Sequence, residues 1–319
     1  MLSNKEKKYM KAAQFSEYGG PSVLKVTEID KPALSEGQVL VEVHAASLNP
    51  FDTKIREGFM KDFMPLELPV TLGGDFAGIV AEVSAGVTNV AVGDKVYGSA
   101  NAVAGASGAF AEYVATSAGQ VAALPTNTDD TEAAAVVLVG VSARQALVQH
   151  LNLQSGQKVF INGAGGIGAI AIMIAKHLGA YVATTAAADS AEDVKKLGAD
   201  EVIDYTSQDF VEILRDYDAV FDTVGDAAGF ARSLAILKKG GIAVTMGMGA
   251  DQAKADEIGV TAISQVTKVT TESLNALTAL IEDGVVTPQV GKVFPLDDVQ
   301  AAFEARENGS VKGKIVLAI

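Results

Sequence analysis

Cysteine is absent from the 319 residues. That gap excludes disulfides, thiolate nucleophiles and every sulfur-ligated metal site, and it suits a reducing cytoplasm. Histidine occurs three times, and His44, His150 and His177 share no metal-ligand spacing such as i, i+4. His44 sits on the Leu40/Glu42 face of an alternating run, opposite Val39, Val41 and Val43, where it is half exposed. The other two close helix-like runs, where an imidazole interacts favourably with the C-terminal dipole. A zinc enzyme is not expected.

Positive charge is also short. Twenty-five Lys and Arg face 39 Asp and Glu, for a net charge of −14. This argues against nucleic acid and acidic membrane surfaces as partners, while a small anionic cofactor can still be held by backbone amides. No stretch reaches the ~18 uninterrupted apolar residues of a membrane span. The opening "MLSNKEKKYMKAAQF" has no apolar core of a secretory signal. The expectation is a soluble cytoplasmic protein with residues 1–9 as a loose extension.

What is present divides the chain in two. Residues 10 to about 125 read as short strands broken by Gly, Pro and Asn, among them "VLKVTEI", "QVLVEVHAAS", "FAGIVAEVSA" and "DKVYGS". Many short alternating runs with frequent turn signals predict a β-barrel-like domain. Near Thr131 the character changes to helix, and from "KVFING" onward strands and helices alternate in the order of a doubly wound parallel sheet. The end of the chain reads as two helices and a closing strand. If that strand pairs with the first domain, the first domain is discontinuous.

The sharpest motif is "VFINGAGGIG" at 159–168, a G-x-G-x-x-G with Gly163, Gly165 and Gly168. Alone the pattern is weak. Here it follows a β-branched strand, opens an apolar helix and starts a run of βα units, which is the context it requires. Gly163 allows the tight turn, Gly165 lets the backbone approach a pyrophosphate, and Gly168 brings helix and strand together. With Gly166 and Ile167 they place a helix N-terminus against the anion. The next strand, "YVATTAAADS", ends without the acid that would bond both ribose hydroxyls of NAD, no acid appearing before Asp189. This leaves room for a 2′-phosphate, so NADPH is expected over NADH. Thr185 and Tyr205 are candidate phosphate ligands, with Lys195 or Lys196 nearby. Two further strand ends, Thr223-Val224-Gly225 and Thr245-Met246-Gly247, lie where cofactors sit in such sheets.

These stretches together resemble the medium-chain dehydrogenase/reductase superfamily, in its zinc-free quinone oxidoreductase branch. The likeness runs from Met10 to Ile319 through "LNPFD", "LGGDFAGIVAEVSAGVTNVAVGDKVYG", "GAFAEYV", "VGVSARQAL", "GAGGIG", "LGADEVIDY" and "KGKIVL". It implies an α/β fold: a GroES-like β-rich catalytic domain in 1–126 and 266–319, and a Rossmann cofactor domain in 127–265. In zinc-dependent relatives a cysteine stands at the position of Asn49, a histidine at Gly74 beside the acid that is Asp75 here, and a third ligand near Leu138 to Gly140. None is present, so neither a catalytic nor a structural zinc is implied.

The resemblance implies a homodimer and direct hydride transfer from NADPH to a small quinone or α,β-unsaturated carbonyl. An enoyl-thioester reductase and a non-catalytic NADPH-binding protein are the alternatives. Quinones and enones already carry an electrophilic carbon, so positioning and hydrogen bonds can suffice without a Lewis acid. The resemblance also makes Asn49 and Ser142 nicotinamide-side residues, puts Thr223 and Val224 near the ribose and Met246 and Gly247 near the carboxamide, and sets Lys314 at the back of the site.

The most informative short stretch is therefore "VHAASLNPFD" at 43–52, where Pro50 stops an alternating run. Such a stop is either a plain turn or a device that aims Asn49 and Asp52 at chemistry. Its place in the chain favours a zinc site converted to hydrogen bonding, with Asn49, Asp52 and Ser142 as catalytic candidates and Asn49→Ala lowering turnover more than stability. Asp52, Lys54 and Arg56 either organise or protonate the site, or form a solvated loop with local ion pairs. Phe51, Phe59, Phe63 and Met64 either line an apolar substrate wall or pack in the core. Arg144 stands where relatives often carry an aromatic.

Overall fold

The computed structural model describes residues 8–63, 65–100 and 107–319. Met64 and most of the expected N-terminal extension fall outside them. In chain order, the first part runs β1 (Tyr9–Phe15), β2 (Lys25–Asp30), β3 (Gln38–Ser47), α1 (Pro50–Arg56), β4 (Val70–Thr71), β5 (Asp75–Val83), β6 (Lys95–Ser99), β7 (Tyr113–Ser117) and β8 (Val121–Ala123). Then come α2 (Asp130–Arg144), a π-helical stretch Gln145–His150, β9 (Lys158–Asn162), α3 (Gly166–His177), β10 (Tyr181–Ala186), α4 (Ala191–Lys196), β11 (Glu201–Asp204), α5 (Phe210–Ile213) and β12 (Tyr217–Asp222). The chain ends with α6 (Ala227–Ser233), β13 (Leu237–Thr245), α7 (Gln252–Ile258), β14 (Thr261–Ser264), α8 (Thr271–Glu282), β15 (Val290–Pro295), α9 (Val299–Glu307) and β16 (Lys314–Ala318).

Two units result: Met1–Leu138 with Val269–Glu282 and Pro288–Ile319, and Val139–Lys268 with Asp283–Thr287. In the first unit a seven-stranded sheet runs β15-β16-β3-β5-β6-β8, with β7 also on β3, beside a three-stranded sheet β2-β1-β4. The closing strand β16 pairs antiparallel with the end of β3, Val316 opposite Ser47, so the first unit is discontinuous in sequence. Val39, Val41 and Val43 alternate into a core with Phe15, Phe76, Phe110, Phe303 and Leu317. His44, on the other face, is half-buried, and its Nδ1 lies 2.8 Å from Asp130 Oδ2.

The second unit holds the parallel sheet β11-β10-β9-β12-β13-β14, with Phe160, Val220, Phe230 and Leu234 in its core. Strand order reverses between β9 and β12, and in such sheets ligands bind outside the carboxyl ends at that point.

Three local expectations change. The run "AAGFARSLAILKKG" is helical only to Ser233. After one 3₁₀ turn Leu237 enters β13 opposite Tyr217, so strand pairing overrides the helical propensity of Leu-Lys-Lys. The helix expected at "SQDFVEILRD" is the four-residue α5, and Asp216 beyond it takes positive φ. α7 and β15 were not expected. The signals for α7 were Asp251, whose side chain accepts from Lys254 N–H, and Gly259 in the left-handed region at the helix end.

Candidate active site

The glycine loop has the geometry its spacing predicts. Gly163 sits at φ +90°, and a Cβ on Gly168 would lie 1.8 Å from Gly163 O, so neither position tolerates a side chain. A Cβ on Gly165 would meet nothing within 4 Å; this is open space in front of a helix start. Gly165 caps α3 in extended geometry, and Gly165 and Gly166 are exposed. The first amides of a helix have no intrahelical acceptor, so the loop and α3 fit an anionic pyrophosphate.

One row of polar side chains fixes that loop. Thr185, Asn162, Asp222 and Thr245 are neighbours in register across β10, β9, β12 and β13. Thr185 Oγ1 donates to Asn162 Oδ1 at 2.9 Å, Asn162 Nδ2 donates to Asp222 Oδ1 at 2.9 Å, and Thr245 Oγ1 donates to Asp222 Oδ2 at 2.7 Å. The row in turn holds three turns by their amides. Gly163 N–H donates to Thr185 Oγ1 at 2.8 Å, Gly225 N–H to Asp222 at 3.2 Å and Gly247 N–H to Thr245 Oγ1 at 2.9 Å. Thr223 Oγ1 reaches the carbonyls of Asn162 and Gly163. A buried network whose members are all partnered is rigid, and this one ties the phosphate loop to both further strand ends. Val224 projects into solvent, while Met246 and Gly247 are partly exposed.

The first unit carries a separate buried cluster. Asn49 caps α1, with Pro50 at its first position, and Asp52 accepts from Asn49 N–H at 2.7 Å, as in a capping box. The Asn49 amide lies between opposite charges. Its Nδ2 donates to Asp75 Oδ2 at 2.8 Å, and its Oδ1 accepts from Lys314 Nζ at 2.6 Å. Lys314 also donates to Leu48 O at 2.7 Å, and Leu138 N–H to Asp75 at 3.2 Å. Burial raises the Asp52 carboxyl to about 7 and lifts Asp75 as well. Burial likewise lowers Lys314 to about 8. At the other end of α1, buried Arg56 donates to Gly19 O at 2.8 Å and to Glu307 at 2.7 Å.

Residues 35–126 match the alcohol dehydrogenase GroES-like domain and residues 197–317 the zinc-binding dehydrogenase family. An NADPH-dependent alkenal/one oxidoreductase of Arabidopsis thaliana chloroplasts is 36% identical over 97% of this chain and 80% of its own. The quinone oxidoreductase structure from Coxiella burnetii is 34% identical, covers 98% of this chain and 100% of its own, and superposes with a TM-score of 0.91. That of Escherichia coli quinone oxidoreductase complexed with NADPH is 30% identical over 97% and 100%, with a TM-score of 0.87. The chain belongs to the quinone oxidoreductase-like branch of the medium-chain dehydrogenase/reductase superfamily.

Within this quinone oxidoreductase-like chain, several candidate residues are buried and hydrogen-bonded within the protein. Asn49 is 3% exposed, and its amide bonds both Asp75 and Lys314. Asp52 and Arg56 are buried, against a solvated loop, whereas Lys54 is exposed and Arg56 makes a local ion pair with Glu57 at 3.0 Å. Lys314 faces Leu48 O and Asn49 inside the same cluster. Ser142 is 0% exposed; its hydroxyl pairs with Thr267 Oγ1 at 2.7 Å and its carbonyl accepts from Gln265 Nε2 at 3.0 Å. Both polar groups of Ser142 thus bond the segment that follows β14. Thr185 is buried with its proton donated to Asn162, leaving no donor for a phosphate.

Tyr205 is 63% exposed, and its amide reaches Ala186 O. Phe51 packs against the first unit's core, while Phe59 and Phe63 are 70% and 79% exposed and so not core. Among the described residues no group of His, Asp and Glu could hold a metal ion.

Sequence reasoning missed Asn162 and Gln145. Asn162 ends a β-branched strand, and a lone amide there signals a network. Gln145 Nε2 donates to Val266 O and its Oε1 accepts from Lys268 N–H, both at 3.0 Å.

Proposed function

We propose that this protein is an NADPH-dependent reductase of quinones and α,β-unsaturated carbonyls. The observation that carries the reading is the phosphate loop at the switch point of the sheet, on a chain whose relatives are named quinone and alkenal/one oxidoreductases. NADPH, when bound, supplies the hydride. The chain's own residues bind and orient. Gly165, Gly166 and Ile167 offer amides to the pyrophosphate, Gly163 and Gly168 keep the turn tight, and the Thr185–Asn162–Asp222–Thr245 row holds Thr223, Val224, Met246 and Gly247 at the strand ends. Asn49, Asp52, Asp75 and Lys314 stiffen the corner between β3 and α1 instead of meeting substrate. Asp52 is buried and accepts from Asn49 N–H, so the proton that completes enone reduction comes from water.

The protein is further read as a soluble, cytoplasmic homodimer. The position of β14 at the edge of its sheet supports the dimer, because an edge strand can pair with a second copy. The helix Asp130–His150 is long and apolar enough to cross a membrane by composition, but most of it is buried inside the protein. Anaerobic NADPH oxidation with a panel of small quinones and 2-alkenals tests the reading, and no turnover across the panel would sink it.

A further inference from the structure

The glycine loop explains how a pyrophosphate is held, but not what tells a 2′-phosphate from a 2′-hydroxyl. That choice is made at the carboxyl end of the second strand. A carboxylate about 20 residues beyond the loop bonds the ribose hydroxyls of NAD, whereas a cation accommodates the extra phosphate of NADP. Here β10 leads directly from the loop: Gly163 N–H is held by Thr185 Oγ1, and Ala164 N–H by Thr185 O. Past Ala186 the chain makes one 3₁₀ turn over Ala188–Ser190, which presents Asp189 exposed, its Oδ1 accepting from Ser190 Oγ at 2.8 Å, about 20 residues past Gly168.

The surrounding charge has the same sign. Between Tyr181 and Phe210 stand seven acids and two lysines. Both lysines are in ion pairs, Lys195 with Glu192 and Lys196 with Asp193, each at 3.0 Å. Asp204, opposite Ala186 in the sheet, is held below the usual carboxylate range by the Ser207 and Thr206 hydroxyls, so it stays charged at neutral pH. The Thr185 hydroxyl is buried and donates to Asn162. Tyr205, whose amide reaches Ala186 O, is exposed and neutral. A 2′-phosphate at this end would meet fixed negative charge, and a ribose diol would meet an acceptor.

We propose that the enzyme accepts NADH alongside NADPH, and that Asp189 is the residue that sets the balance, offering its carboxylate to a 2′-hydroxyl and opposing a 2′-phosphate. The proposal deepens the reductase reading and rests on it for its kinetic arm only. The experiment compares wild type with Asp189→Ser, after equal melting temperatures establish that both fold. Dissociation constants for ADP and for 2′,5′-ADP are measured by calorimetry, and kcat/KM for NADH and NADPH with one quinone, at low and at 0.5 M salt.

The wild type is expected to use the two cofactors within about tenfold of each other. D189S should move both ratios about tenfold towards the phosphorylated form, and the shift should shrink at high salt because the carboxylate is exposed. A purely structural role would change both ligands alike. A wild-type preference for NADPH above tenfold, or unmoved ratios in D189S, overturns the proposal. If neither cofactor supports turnover, the reductase reading fails, and the ADP against 2′,5′-ADP comparison still decides the role of Asp189.

Discussion

Replacing Lys314 with methionine removes the ammonium from the Asn49 cluster while keeping most of the side-chain volume. Two donated bonds disappear, to Leu48 O at 2.7 Å and Asn49 Oδ1 at 2.6 Å. Asp75 and Asp52 lose a cation that draws their pKa values down. Breaking a buried ionic group by removing one partner costs about 3–5 kcal/mol, a large share of the ~5–15 kcal/mol that holds a domain folded. The pH dependence follows from the directions of the shifts. Asp52 already titrates at about 7 in the folded state against 3.8 ordinarily. Its favourable contribution is complete below the ordinary value and is lost as pH rises through about 7. Without Lys314 the carboxyls rise further, and each added unit makes the folded state about 1.4 kcal/mol more dependent on low pH.

K314M should therefore lose about 3–5 kcal/mol at pH 7.5 and at least ~1 kcal/mol less than that at pH 5.5. Because the chain has no tryptophan, urea unfolding followed by far-UV circular dichroism is the suitable assay. A loss below ~1 kcal/mol at pH 7.5, or an equal loss at both pH values, would refute the reasoning.

Two further substitutions probe the other parts of the site. Gly165→Ala places a methyl group in open space and Gly168→Ala places one 1.8 Å from a carbonyl oxygen. G165A should melt within a few degrees of wild type yet bind NADPH at least about tenfold more weakly, whereas G168A should lose both stability and binding; calorimetry and thermal melts separate the two. Ser142→Ala should cost about 1 kcal/mol of stability, the usual worth of a buried hydrogen bond, and leave kcat within about threefold; a hundredfold fall in kcat would restore Ser142 to the chemistry.

The glycine loop was readable from the sequence because its residues are dictated by the backbone: φ +90° at Gly163 and the contact at Gly168 admit nothing else. The alternation of strands and helices was readable for a similar reason, since period and turn residues act locally. Asn49 was legible as special but its role was not, because the partners that define it, Asp75 and Lys314, lie 26 and 265 residues away. The partners of Ser142 were hidden in the same way, since Thr267 and Gln265 lie in a distant segment. Long-range hydrogen bonds leave no periodic trace, so sequence reasoning located these residues without their partners in the fold. Thr185 shows a milder case, where a hydroxyl at the right place was already used by its neighbour on β9.

The central claim is direct hydride transfer to an activated carbon, and isotopic labelling tests it most directly. NADPH deuterated at the transferring position should be oxidised anaerobically in the presence of a 2-alkenal, with deuterium recovered by NMR on the β-carbon of the product and solvent hydrogen on the α-carbon. Absence of NADPH oxidation with alkenals and quinones, or reduced product carrying no deuterium at that carbon, would contradict the account.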